Sequence, residues 1–288
     1  MFKRLFTPFT LLAVLAVCAS CVKSDYDGNY GIYEMKYVDK ITLADGISVA
    51  YSYDDSNRVY GIDVTDSDGQ VKKYTITYNI VRPYTQSYID IYSSDSQHWI
   101  MHFNNDAMLE NWSSVNGTGT ESRISSFRYE YSTRRAHVRS IEMEDKSIYS
   151  TFGWSDNVLY QQKLEYRDEE GQPAGSTDVS YRYIQNVSNI LTNADLFMIL
   201  VPEYFSASGI EPYVAAAVTV YGARSYYLPT SVSLLTKDNT EEESAPQVEV
   251  RYFSYDTDSK GYIQRIYLDE GDTRTQLCEI SYFTSSSL

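Results

Sequence analysis

The chain has 288 residues, with 24 Lys+Arg against 39 Asp+Glu, 29 tyrosines and three cysteines. Because its pI is near 4.6, it lacks the basic surface that neutralises phosphates, which argues against nucleic acid as a partner. Three cysteines cannot build a disulfide framework, and a hydrophobic content of 43% excludes a disordered chain.

The first residues have the features of an export signal. Lys3 and Arg4 precede an apolar run, Leu5–Val17, that is shorter than the roughly 20 residues of a membrane span. Cys18-Ala19-Ser20-Cys21 then resembles a bacterial lipobox with Cys21 as the acceptor. We therefore predict a signal peptide over 1–20, a lipidated Cys21 with a tether over 21–30, and a single β-rich domain over 31–288. The alternative is an ordinary secreted protein in which Cys21 is incidental.

Signal removal changes both the charge and the cysteine count. It takes away Lys3 and Arg4 and no acidic residue, so 22 basic residues face 39 acidic ones, a net charge of −17. Cys21 and Cys278 are then the two remaining cysteines, and Cys278 lies in an apolar, strand-like stretch. We expect a buried, inert thiol there rather than a nucleophile.

Alternation of large apolar with polar residues dominates the remaining chain, as in 47–53, 74–78, 179–183 and 248–252. This pattern is typical of strands with one covered and one wet face, and it favours an antiparallel sheet. One hairpin recurs three times: a Tyr pair (Tyr51/Tyr53, Tyr129/Tyr131, Tyr252/Tyr255) precedes a turn and then two apolar residues three apart (Val59/Ile62, Val138/Ile141, Ile263/Ile266). We interpret the recurrence as hairpin duplication.

Helical spacing appears near the middle of the chain. Ser188 or Asn189 would cap one short helix over 189–201, and Pro212 would open a second over 212–222, with Gly222 at its end. Both are expected to cover the sheet. The polar segment Asn104–Ser126 is interpreted as a long loop or a weak hairpin.

Several of these features together resemble a known family. They are the anchored Cys21, the Tyr-x-Tyr-Asp-Asp hairpin and the stretch Tyr213–Val232, which includes Tyr221–Ser225 and Leu228-Pro229-Thr230. These residues are similar to uncharacterised Bacteroidota surface lipoproteins with a described porin-like fold. The resemblance implies a large antiparallel meander sheet curled into an open or partly closed barrel, with helical inserts and an outer-membrane location. It implies no activity and supplies no catalytic residues.

Metal chemistry finds little support in the sequence. His98 and His102 are four apart, but on the strand that 99–103 predicts, this spacing separates them by roughly 13 Å. The acidic pairs Asp25/Asp27, Asp66/Asp68 and Asp256/Asp258 are better explained by turn formation than by calcium. We predict no metal and no other cofactor.

Trp99, Trp112 and Trp154 are the candidate ligand-binding residues, because exposed aromatic rings suit sugars and other flat ligands. The alternative is that tyrosines and tryptophans only cover a thin sheet through cross-strand pairs. The leading hypothesis is an outer-membrane-anchored lipoprotein, on the surface or periplasmic face, that binds a glycan or another extracellular ligand without catalysis. The competing hypothesis is a structural or protein-interaction subunit of an envelope complex.

Overall fold

The computed structural model describes residues 36–131, 135–189, 192–218, 224–239 and 245–283. Sixteen antiparallel strands follow one another around a closed barrel, and β16 pairs with β1 from Tyr37–Phe283 to Leu43–Cys278. The predicted antiparallel meander is confirmed, and the sheet closes fully. The strands are β1 (Tyr37–Leu43), β2 (Ser48–Tyr53), β3 (Val59–Thr65), β4 (Val71–Asn79), β5 (Tyr88–Ser93), β6 (His98–Phe103), β7 (Leu109–Val115), β8 (Glu121–Tyr131), β9 (Ala136–Met143), β10 (Ile148–Ser155), β11 (Val158–Arg167), β12 (Pro173–Arg182), β13 (Ser231–Asp238), β14 (Gln247–Thr257), β15 (Ile263–Glu270) and β16 (Thr273–Phe283).

The chain between β12 and β13 forms an insert, residues 183–230, that enters the barrel. Its described parts include helix α1 (Leu196–Leu200), a 3-10 helix (Pro202–Ser208) and helix α2 (Pro212–Val218). The end where the insert enters is called the insert end, and the opposite end, where β1 turns into β2, is the hairpin end. Phe197, Ala215 and Ala216 are fully buried, so the insert fills the barrel rather than covering the outside of the sheet.

The first helix begins later than predicted. Its cap is Asp195, whose Oδ1 accepts a hydrogen bond from the Phe197 N–H at 3.1 Å. Asn189 is not the cap, because its amide donates instead to Asp195 Oδ1 at 2.8 Å and to the Ser225 carbonyl at 3.2 Å. The predicted end before Pro202 is confirmed.

The predicted start of the second helix at Pro212 is also confirmed. Five consecutive residues of this helix, Val214 to Val218, are buried. Burial on all sides follows because the helix is enclosed by the barrel rather than resting on one sheet face. The predicted end at Gly222 lies outside the described residues.

A buried glutamine joins the insert to the wall. Gln162 of β11 donates from Nε2 to the carbonyls of Glu203 and Tyr204, at 2.8 and 3.1 Å, and its Oε1 accepts from the Tyr181 hydroxyl at 2.8 Å. Since an unpaired buried amide would be costly, this network fixes the depth of the insert.

The apolar pairs three apart have a simple geometric origin. Between β2 and β3 the register shifts at Tyr53, which faces Val59 while Ser52 faces Gly61. The extra residue, Tyr60, is a β-bulge, so Val59 and Ile62 both point inwards although their spacing is odd. The same inward pairs occur in the other two repeated hairpins, at Val138/Ile141 and Ile263/Ile266.

Aromatic side chains encircle the barrel near the insert end. Each is on an even-numbered strand or just after one, and its polar atom donates to a backbone carbonyl in or just before the odd-numbered strand that precedes it. We call this set the tyrosine ring: Tyr53 to Val38, Tyr78 to Val59, Trp154 to Val138, Tyr183 to Leu159, Tyr255 to Pro229 and Tyr282 to Ile263. Of the repeated tyrosines of the sequence, Tyr53 and Tyr255 thus join a strand to the one that precedes it.

Inner and outer faces of the wall differ sharply in polarity. Inward side chains such as Ile62, Leu164 and Val179 are fully buried, whereas outward positions carry ion pairs, among them Lys73–Asp63 at 3.3 Å and Arg265–Glu279 at 3.0 Å. The inner face is apolar because it packs against the apolar residues of the insert. Within the described ranges, neither the length nor the hydropathy of any helix suits it to span a membrane.

In the acidic turns, aspartate side chains accept hydrogen bonds from backbone N–H groups of the same turn. Asp66 Oδ1 accepts from the N–H groups of Asp68 and Gln70, and Asp258 Oδ1 accepts from those of Lys260 and Tyr262. These side chains cap five-residue turns, as the turn interpretation predicted. The segment Asn104–Ser126 contains the hairpin of β7 and β8, so of its two predicted alternatives the hairpin is confirmed and the long loop is wrong.

Candidate functional site

Trp99 and Trp112, two of the predicted ligand-binding residues, lie together inside the barrel near its hairpin end. Their rings stack with centroids 5.9 Å apart and planes 13° apart, and the Tyr74 ring lies 6.4 Å from Trp99. Trp112 is only 2% exposed. Both tryptophans face inwards because they alternate with the outward residues of β6 and β7.

A small cavity adjoins these rings. Its volume is about 20 Å³, and its lining includes Tyr74, Trp99, Trp112 and the insert residues Ile210 and Glu211. A cavity of this size holds about one water molecule. A sugar ring therefore does not fit there as the structure stands.

Charged groups near this cavity are paired with one another. Lys72 Nζ lies 3.3 Å from Asp95 Oδ2 and 3.5 Å from Glu211 Oε1, and it sits 5.2 Å from the centroid of the Tyr74 ring. Burial raises the pKa of Tyr74 to about 12, so its phenol is neutral at physiological pH. The group is a local charge network that ties the insert to β4.

Trp154, the third predicted residue, lies away from the other two. It belongs to the tyrosine ring near the insert end, where Nε1 donates to the Val138 carbonyl at 2.8 Å. Its indole stacks on His137 with centroids 4.5 Å apart. The three tryptophans therefore do not form one platform, and ligand binding by them stays a prediction.

The other two histidines lie on the outer face of β6, a strand as predicted. His98 Nε2 is 2.9 Å from Asp90 Oδ1, and His102 Nε2 is 2.7 Å from Glu121 Oε1. Each histidine thus has its own carboxylate partner. The described residues contain no cluster of three or more groups suited to hold a metal ion.

An exposed aromatic surface lies on the outer wall beside these histidines. Tyr88, Asp90 and Tyr92 alternate with the buried Ile89 and Ile91 along β5, so all three point outwards. Tyr88 is 36% exposed and Tyr92 46% exposed, and their Cα atoms are roughly 13 Å apart by strand geometry. Two rings at this separation present apolar area on both sides of a central carboxylate.

Polar neighbours fix that carboxylate. Asp90 Oδ1 contacts His98 Nε2, while Oδ2 accepts from Asn79 Nδ2 at 3.2 Å. The His98 ring stacks on Tyr92 with centroids 4.0 Å apart and planes 14° apart. Partial burial and the Asp90 carboxylate raise the pKa of Tyr92, which keeps its phenol neutral. We call Asn79, Tyr88, Asp90, Tyr92 and His98 the β5 platform.

The chemistry of the β5 platform suits a neutral, hydroxyl-rich ligand. A carboxylate accepts about four hydrogen bonds, and Asp90 receives two from the protein. The Asp90 side chain is 15% exposed and lies between two exposed rings on the same strand face. Such rings bind the apolar faces of sugars while their hydroxyl groups bond to water or ligand. No nucleophile or general acid is needed for such binding.

Sequence reasoning singled out the tryptophans and missed this surface. The signal was present in Tyr88-Ile89-Asp90-Ile91-Tyr92, where the isoleucines mark the inward positions and leave the two tyrosines outwards. The partners Asn79 and His98 come from neighbouring strands, and their approach to Asp90 depends on the pairing register.

Comparison with known proteins gives a fold and no family. No family model matches the chain, and no curated protein matches it. Among solved structures, a porin-like protein from Bacteroides vulgatus has a TM-score of 0.59 at 11% identity, covering 86% of this chain and 99% of that one. A porin-like protein from Bacteroides uniformis has a TM-score of 0.55 at 12% identity, covering 86% of this chain and all of that one (100%). The porin-like fold that the resemblance implied is thus confirmed.

Proposed function

We propose that this protein is a lipid-anchored binding protein of the cell envelope that holds a glycan on the β5 platform and catalyses no reaction. The observation that carries the proposal is the outward pair Tyr88 and Tyr92 around Asp90, whose carboxylate keeps hydrogen-bonding capacity. A neutral sugar unit would stack on the rings and donate hydroxyl hydrogens to that carboxylate. The expected ligand is a chain of at least two sugar units, since the two rings are far apart.

The polarity of the outer wall supports this proposal. Lipid-facing barrels carry apolar residues outside and polar residues inside, whereas this barrel has ion pairs outside and a filled apolar interior. In our proposal a lipid on Cys21 holds the protein at the outer membrane, on its surface or periplasmic face, and leaves the wall accessible to ligand. The insert leaves the inside of the barrel to packing rather than transport.

Glycan binding is tested on the protein spanning 22–288 with a glycan array, followed by calorimetry on the best binder. We expect Tyr92→Ala and Tyr88→Ala each to weaken binding by at least about tenfold. Tyr160→Ala is the matched control, because Tyr160 is 49% exposed and lies on β11, away from the platform. The absence of any sugar signal, or equal losses in the control, would overturn the proposal.

The tryptophan prediction is separated from the platform in the same assay. Trp99→Ala opens the cavity beside Trp112 without touching the outward tyrosines. If Trp99→Ala abolishes binding while Tyr92→Ala leaves it intact, the ligand binds near the cavity and the platform assignment is wrong. The reverse result supports the platform.

Lipid anchoring has its own test. Expression of the full chain in a bacterial host that processes lipoproteins should place it in the membrane fraction, and Cys21→Ala should release it. Cys18→Ala is the matched control and should leave the protein in the membrane fraction. Retention of the Cys21→Ala protein in membranes would show that the lipobox interpretation is wrong.

A further inference from the structure

One strand extends beyond its neighbour at the hairpin end of the barrel. β14 pairs with β13 from Gln247 to Tyr252, but with β15 only from Tyr252 to Thr257, because β15 ends at Glu270. Residues 247–251 therefore have β13 on one side and, in the described part of the chain, no paired strand on the other. We call residues 247–251 the free edge.

The backbone of the free edge is available for pairing. The Phe253 N–H donates to the Thr230 carbonyl at 2.9 Å, on the β13 side. Since successive residues of an antiparallel strand point their N–H and C=O groups to alternate sides, those of Val248 and Val250 point away from β13. Two donors and two acceptors are thus directed to the side that β15 leaves open.

Side chains make this edge unusual. Val248 is 66% exposed and Val250 45% exposed, and both lie on the outer face with Leu235 and Tyr252 beside them. An exposed edge with β-branched residues on one face is a template for an added strand.

At the same end, two other strands extend past a neighbour by four residues or more, and they differ in composition. β8 begins four residues before its pairing with β9, and β16 begins five residues before its pairing with β1. Their first residues are polar: Glu121, Ser122 and Arg123 in β8, and Thr273, Arg274, Thr275 and Gln276 in β16. The stagger is thus a general feature of this barrel. Among the strands that begin before one neighbour, only β14 carries two exposed valines, while β4, which begins three residues before its pairing with β5, carries one, Val71.

Charges beside the free edge select the sign of its partner. An added strand would run against the end of β15, which carries Asp269 and Glu270, and against the turn that follows it, which carries Asp272. The chain without its signal has a net charge of −17, so a second copy would be repelled, whereas a basic segment would be attracted.

We propose that the free edge is a β-augmentation site for an extended segment of another protein, with apolar residues at alternate positions and Lys or Arg at the end that meets the β15–β16 turn. The backbone groups of Val248 and Val250 bond to the incoming strand, and their side chains pack on its outward apolar residues. This site is distinct from the β5 platform, and its existence does not depend on glycan binding.

The test uses a phage-displayed library of random peptides of roughly 12 residues, selected on the protein spanning 22–288. Enriched peptides are expected to alternate apolar and polar residues and to carry Lys or Arg. Synthetic copies are then measured by fluorescence anisotropy. Binding should weaken at least about tenfold with Val248→Lys and stay unchanged with Val71→Lys, the matched control, because Val71 is an exposed strand valine (46%) on β4, away from the free edge.

A proline scan of the best peptide supplies the structural signature. Proline should abolish binding only at alternate positions, those whose N–H faces the free edge. Peptides that are acidic, that tolerate proline everywhere, or that bind the Val248→Lys protein equally well would overturn the proposal, as would failure to enrich any peptide. Sedimentation equilibrium tests whether a second copy of the chain binds the free edge instead. If the protein forms a dimer and Val250→Lys abolishes it, the partner is a second copy, contrary to the proposal.

Discussion

The tyrosine ring allows a direct test of how the insert end of the barrel is held. The Tyr78 hydroxyl donates to the Val59 carbonyl at 2.9 Å, beside the bulge of the β2–β3 hairpin, and its ring packs against the core. Tyr78→Phe keeps the ring and removes the donor, leaving a sheltered carbonyl without this bond. The loss of such a bond costs about 1–2 kcal/mol of the free energy of unfolding.

Equilibrium unfolding in urea, followed by tryptophan fluorescence, measures this cost on the protein spanning 22–288. The control Tyr160→Phe removes a hydroxyl from a side chain that is 49% exposed and should change the free energy of unfolding by less than about 0.5 kcal/mol. Tyr78→Phe combined with Tyr282→Phe should be additive within about 0.5 kcal/mol, since β4 and β16 are separated by three strands. Equal costs for Tyr78→Phe and Tyr160→Phe would refute the idea that the hydroxyl bonds of the ring stabilise the barrel.

Three other perturbations probe the buried interior. Phe197→Ala should lower the free energy of unfolding by about 3–5 kcal/mol, because Phe197 is fully buried between the rings of Tyr181 and Tyr204. A loss below about 1 kcal/mol would mean that the insert is not part of the core. Burial raises the pKa of Tyr74 to about 12, above its unfolded value of about 10, so its contribution to stability is complete below pH 10 and should be lost as pH rises towards 12. Because other buried tyrosines also titrate late, the test is the difference in urea midpoint between the protein and its Tyr74→Phe variant, which should shrink across that range. Burial likewise raises the pKa of the Cys278 thiol to about 12. In the protein spanning 22–288, Ellman's reagent at about pH 8 should therefore react with one thiol per chain only after urea is added. Rapid reaction of the native protein would contradict this.

Local order could be predicted well because it depends on neighbouring residues. The alternation in 47–53 specified a strand with one covered face, and Asp66 and Asp258 specified turns through their own side chains. The alternation in 248–252 specified a strand but gave the wrong covered face, because Val248, Val250 and Tyr252 point outwards and are exposed. The start of a helix at Pro212 was equally local. The burial of Cys278 followed from its apolar strand and is confirmed.

Other features depended on contacts between distant parts of the chain. The predicted cap at Asn189 was wrong because the amide of that residue bonds to Ser225, 36 positions away. The tryptophans attracted attention by residue type, but the alternation of β6 and β7 turned Trp99 and Trp112 inwards. Asp90 gained its partners His98 and Asn79 only through the register of β5 with β6 and β4.

The sequence by itself determined that this protein has a strongly acidic chain and repeated tyrosine-rich hairpins, and it predicts an export signal with a lipobox-like cysteine. Those properties follow from composition and from spacing within single hairpins. Only the tertiary structure decided that the sheet closes, that the insert fills it, and which tyrosines bond inside and which face water. Closure brings β1 against β16 across 240 residues of chain, and no local pattern encodes a pairing over that distance.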